Sequence, residues 1–138
     1  MVPRLVVSKP KTEMCDLRFQ QIFTIFALMN EDIESKTLKP VRITAMRQTV
    51  YRDLMAQYEN PIVHACELHV GDVFVSVDAQ RPEGLCESAW ESMRAFVEAL
   101  ARGEGNFYDG WMRNPHSAMI SCNDGFRPVS FYLETIEN

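Results

Sequence analysis

Several features are missing from this chain, and each absence closes off a class of function. No lysines and arginines are clustered in the manner of a phosphate-tracking surface. Basic residues stand singly, as at Arg42, Arg47, Arg52, Arg94, Arg102, Arg113 and Arg127, and the formal net charge is -5. Nucleic acid is therefore not expected as a partner. No apolar stretch is long enough to span a bilayer: the greasiest, residues 17–29, is broken by Arg18, Gln20, Gln21 and Thr24. Nothing near Met1 has the charged, apolar and small-residue order of a secretion signal. The chain has no phosphate-cradling glycine loop, no serine-nucleophile elbow and no HExxH. Enzyme classes built on those motifs gain no support, and no cofactor is indicated. The four cysteines, Cys15, Cys66, Cys86 and Cys122, include no CxxC pair. With no secretion signal they are expected as reduced thiols in the cytoplasm.

What is present fits one domain of ordinary size. The chain has 138 residues, 46% of them hydrophobic and 24% charged, both ordinary for a globular protein. Residues 1–11, with Pro3 and Pro10, read as a loose arm. A helix is expected over 13–33, capped by Thr12; its apolar positions Phe19, Ile22, Phe23, Phe26 and Met29 keep helical spacing, and Ile25 and Leu28 widen the stripe. Such a helix must hide two faces, either in a groove of its own domain or against a second subunit, so a homodimer through it is expected.

Residues 41–46 alternate as a strand, and 49–58 suggest a short helix before Asn60-Pro61. Gly71-Asp72 opens a second strand, with Val73, Val75 and Val77 on one face and Phe74 on the other. The clearest periodicity follows. Ala89, Trp90, Met93, Phe96, Val97 and Leu100 recur at intervals of three and four from Leu85 or Cys86, and Gly103 is placed to end the helix. A closing hairpin joins strands at 118–122 and 129–136 through Asn123-Asp124-Gly125, where Gly125 is expected to supply a positive φ. Pro128, lacking an N–H, should begin its strand. The elements predict an α+β fold: a small antiparallel sheet of about four strands covered by an amphipathic helix, with the extra N-terminal helix set apart. Residues 1–38 form the arm and helix, and 39–138 the core.

Residues 122–131 read Cys-Asn-Asp-Gly-Phe-Arg-Pro-Val-Ser-Phe; Pro82-Glu83-Gly84-Leu85-Cys86 leads into the helix of Trp90, and Gly105, Asn106 and Phe107 follow in order. Cys66, Gly71 and Phe74 precede them. Over residues 39–137 the chain thereby resembles a family of small bacterial and archaeal proteins without an assigned activity. Relatives often carry a second cysteine beside the one matching Cys122, where this chain has Ser121, so the resemblance does not imply a vicinal dithiol. It sharpens the residue list without naming a reaction.

Three readings of those residues stand side by side. In the first, a small-molecule or thiol-dependent site lies between the 103–115 connection, the start of the Trp90 helix and the 122–127 turn. Cys86, near helix N–H groups, or Cys122, near Arg127, would be the thiol. Asp124 or His116 would carry a proton, Arg127 would anchor a small anionic molecule, and Trp90, Asn106, Tyr108 and Trp111 would contact it. Each has a plainer role: cysteines as small core hydrophobes, Asp124 and Arg127 as turn partners, and the loop aromatics as a plug. In the second reading the chain is a non-enzymatic accessory or dimeric interaction module. In the third, His64, Cys66, Cys86 and Cys122 hold a structural zinc, although no tight-loop ligand pair supports it.

Overall fold

Apolar side chains recur at every second position from Val41, and the segment folds as that spacing asks. It forms β1, Val41–Gln48, with Val41, Ile43 and Ala45 buried and Arg42 and Met46 exposed. The computed structural model describes residues 37–63 and 66–137. The helix expected over 13–33, and the dimer contact assigned to it, lie outside the described residues. After β1 come α1 (Arg52–Tyr58), β2 (Val73–Ser76), α2 (Glu87–Ala101), β3 (Ser117–Ser121) and β4 (Val129–Thr135). They make the expected α+β fold, a four-stranded antiparallel sheet in the order β2-β1-β4-β3 with α2 over one face.

The core lies between α2 and the inner face of the sheet. Val41, Ile43, Phe131, Leu133, Met93, Val97 and Leu100 are all fully enclosed. At roughly 1.5–3 kcal/mol for each large aliphatic or aromatic side chain buried, this layer dominates stability. Ser76 and Ser117, also buried, donate to the carbonyls of Gln80 at 2.7 Å and Asn114 at 2.6 Å. Among the described residues every buried side-chain nitrogen and oxygen has a partner. The outer face is mixed. Thr44 stands opposite both Val73 and Tyr132, Tyr132 opposite Met119, and Arg42 donates to Glu134 at 2.6 Å. The register shifts between Ala45 and Arg47, and Met46 projects outward at this bulge.

Local chemistry sets the ends of α2. Cys86, in extended conformation, is its N-cap, and its Sγ accepts the Ala89 N–H at 3.4 Å. At the other end Gly103 has φ +82°; its N–H bonds Leu100 and that of Glu104 bonds Ala99, each at 3.0 Å. That paired arrangement satisfies two orphan carbonyls and requires the left-handed residue that glycine provides.

One local expectation is corrected, and one is given its direction. Gly125 does not have a positive φ. The turn is held instead by Asp124, whose Oδ1 accepts the N–H groups of Phe126 at 2.9 Å and Arg127 at 3.2 Å. The valines of β2 face out, with Val73 56% and Val75 43% exposed, while Phe74 packs against the core and Ser76 is buried.

Candidate functional site

The start of α2 and the 122–128 turn lie at one end of the domain. Cys86, Gly84, Asp124 and Arg127 line a single cleft with Cys66, Leu68 and Phe74, and its volume is about 720 Å³. That size suits a small ligand. Cys86 is there because it caps α2, and its S–H donates to Ser88 Oγ at 3.9 Å. Cys66 comes from the connection between α1 and β2. Both thiols are free and exposed. Beyond Cys66 the chain is tied down by the His69–Asp72 turn and by the Gly71 N–H bond to the Ala45 carbonyl.

Arg127 has a different set of partners from the one expected. Its Nη2 donates to both carboxylate oxygens of Glu59, at 2.7 and 2.6 Å, and its Nη1 donates to Asp124 at 3.1 Å. The side chain is 9% exposed and that of Glu59 14%. The fork is therefore filled from within, clamping the end of α1 to the turn before β4. Backbone bonds from Thr49 to Pro128 and from Tyr51 to Phe126 support the same junction. Bonding to Glu59 and proximity to both carboxylates raise the Arg127 pKa, outweighing the opposing desolvation. Partial burial of Asp124 favours its neutral form, but the Phe126 and Arg127 N–H groups and the Arg127 charge outweigh it and hold the carboxyl below its usual value. Glu67 and Asp72 also line the cleft, so its lining holds three carboxylates and one guanidinium. That balance does not suit the anionic ligand expected from Arg127 alone.

The remaining candidates sit elsewhere. Trp90 is buried in the core. Cys122 is half-buried against the core; its N–H donates to the Val129 carbonyl at 3.1 Å and its Sγ accepts the Val129 N–H at 3.3 Å, closing the β3–β4 loop. The 103–115 connection leaves the far end of α2. That helix has 15 residues, about 22 Å at 1.5 Å per residue, so the loop does not share the cleft with Cys86. There Asn106 donates its N–H to Pro115 O at 2.7 Å, Phe107 packs edge-on to Phe96 at 5.0 Å, and Tyr108 meets Trp111 at 5.3 Å on the surface. His116 is exposed, with Nδ1 3.4 Å from the Glu104 carbonyl.

Of the four groups proposed for zinc, Cys66 and Cys86 line the cleft, Cys122 is held in its loop, and His64 lies outside the described residues. Among the described residues no three His, Cys, Asp or Glu side chains gather as a metal site, and no helix is long and apolar enough to cross a membrane. Glu59, Glu67 and Asp72 were not singled out by sequence. Glu59 is 68 positions from Arg127, and no local pattern links them.

Among the described residues the fold is thus a one-helix-layer α+β domain with an open antiparallel sheet, and a thiol-bearing cleft opens at the start of α2. No protein-family model, curated protein or solved structure matches the chain.

Proposed function

We propose that this chain is a small-molecule-binding domain acting through a thiol, with Cys86 as the nucleophile of the cleft. The carrying observation is that two free, exposed cysteines from separate elements line one cleft of ligand size at the start of α2. The Ala89 N–H donates to Cys86 Sγ at 3.4 Å and so holds that sulfur at the start of α2. Ile62, Leu68, Val73 and Phe74 supply an apolar wall, and Glu67 and Asp72 supply negative charge. The ligand class that fits is neutral or cationic, partly apolar, and carries a carbon or sulfur electrophile.

The test is a thermal-shift screen of such compounds against the wild type and Cys86→Ser, with mass spectrometry to detect adducts. Stabilisation together with a Cys86 adduct, both reduced in the variant, supports the proposal. Equal stabilisation of both proteins, with no adduct, overturns the thiol's role.

A second reading, as an interaction module, draws on α1. That helix buries no residue, and Tyr51, Leu54 and Tyr58, spaced to share a face, are 41%, 37% and 68% exposed. Leu54→Glu should then weaken self-association or partner binding without touching cleft reactivity; light scattering and alkylation rates separate the two.

A further inference from the structure

We infer that α1 opens as a unit separate from the core, on a hinge at Tyr51, and that the Glu59–Arg127 ion pair is the latch that holds it shut. Helix α1 lies outside the packed layer: none of Arg52–Tyr58 is buried, and Leu54 and Tyr58 are exposed. An element with few buried apolar contacts opens at a lower free energy than the strands and helix that enclose the core. Its two ends are fastened differently. At the start, the Tyr51 N–H donates to the Phe126 carbonyl at 2.8 Å and the Thr49 N–H to the Pro128 carbonyl at 3.0 Å. Those bonds carry on from the Gln48–Val129 end of the β1–β4 ladder, so the hinge is tied to the sheet. At the far end the fastening is a side chain. Glu59, the C-cap, takes two bonds from Arg127 Nη2, at 2.7 and 2.6 Å.

Arg127 is the fixed half of the pair. Its backbone N–H and its Nη1 both donate to Asp124, at 3.2 and 3.1 Å, and Val129, two residues on, is buried in β4. Glu59 is therefore the part that leaves, and Arg127 keeps a carboxylate partner when it does. The pair is enclosed on both sides, with Arg127 9% and Glu59 14% exposed, so salt screens it less than a surface pair. Arg127 and Ile62 line both the thiol cleft and a second hollow of about 410 Å³, which Met55, Ala56 and Glu59 also line. The latch thus stands on the boundary between the two, and its release widens the cleft toward α1. That consequence rests on the reading of the cleft as the ligand site; the opening of α1 does not.

The experiment is hydrogen exchange of the full chain, read by mass spectrometry, with α1 compared against the core of the same molecule. Peptides over Arg52–Glu59 report α1, and those over Met93–Ala101 and Val129–Thr135 report the core. In the wild type α1 should exchange faster than the core and slower than the same peptide in urea-unfolded chain. Glu59→Ala should speed α1 by about tenfold or more, the equivalent of about 1.4 kcal/mol, while the core keeps its rates. Glu59→Gln, which retains a carbonyl acceptor for Arg127, should fall between. Val97→Ala, in the core, should do the reverse and speed the core peptides without changing α1. Acceleration of α1 and core by one common factor in Glu59→Ala or Val97→Ala overturns the separate opening. Wild-type α1 exchanging at the unfolded rate, or α1 rates unchanged in Glu59→Ala, overturns the latch. No ligand enters the measurement, so its failure is distinct from failure of the thiol reading.

Discussion

Gly105→Ala tests whether a close backbone approach ties down the 103–116 connection. A Cβ built on Gly105 would lie 2.2 Å from the Pro115 carbonyl oxygen and 3.0 Å from its carbon, both backbone atoms that cannot rotate away. An ordinary contact needs about 1 Å more, so one strand of the loop must shift by that amount. The shift breaks the Asn106 N–H bond to Pro115, worth about 1 kcal/mol net. It also disturbs the Phe107–Phe96 packing, worth about 0.5–1.5 kcal/mol beyond area burial. Together these give a loss of roughly 2 kcal/mol. With a urea m-value of about 1–2 kcal/mol/M, the unfolding midpoint should fall by roughly 1–2 M at unchanged slope. Gly125→Ala is the control: an added Cβ meets nothing within 4 Å and its φ is not positive, so stability should hold or rise by about 0.4–1 kcal/mol. An unchanged midpoint for Gly105→Ala would refute the close-approach reasoning.

Three further outcomes follow from named contacts. Because the folded-state pKa of Asp124 is depressed, its stabilisation is complete above the unfolded value near ~3.9 and is lost as pH falls through the folded value. Asp124→Asn should therefore be less stable than wild type at pH 7, with the gap closing in acid; an equal gap at both ends of a urea series against pH would contradict this. Cys86→Ser places a stronger capping oxygen on α2, so stability should be unchanged or higher by up to about 1 kcal/mol while one fast-reacting thiol disappears from a dithionitrobenzoate assay. Phe131→Ala, at a side chain with no exposure between β1 and β3, should cost about 3–5 kcal/mol by chemical denaturation.

Much of the fold was legible because it is written in local periods. The three-and-four spacing from Ala89 to Leu100 marks the buried face of α2, and the alternation of Val41, Ile43 and Ala45 marks that of β1. Gly103 ends α2 as its position implied. Strand β2 shows where periodicity stops. Alternation identifies two faces but not which is inward, and an edge strand with only Phe74 and Ser76 turned in carries its valines outside. Gly125 misled because Asp124 next to it already supplies the turn's acceptor.

The candidate site was half legible. Cys86, Asp124 and Arg127 sit where a helix start and a turn meet, and a helix start and an Asx turn can both be read locally. The Glu59 partner of Arg127 cannot be read that way, since it arrives from α1 across 68 positions. By composition the aromatic loop resembled one wall of a ligand site. Its Gly105 approach and the Phe107–Phe96 contact, both non-local, fasten it at the opposite end of α2.

The central claim is that Cys66 and Cys86 serve one cleft, and a short bis-alkylating reagent tests it most directly. Native full-length protein is treated with one equivalent, and the products are mapped by mass spectrometry beside Cys66→Ser, Cys86→Ser and Cys122→Ser. A single bridge between Cys66 and Cys86, preserved in Cys122→Ser and replaced by singly attached reagent in the other two variants, is the predicted result. Singly attached reagent on both thiols of the wild type, with no bridge, would contradict the account.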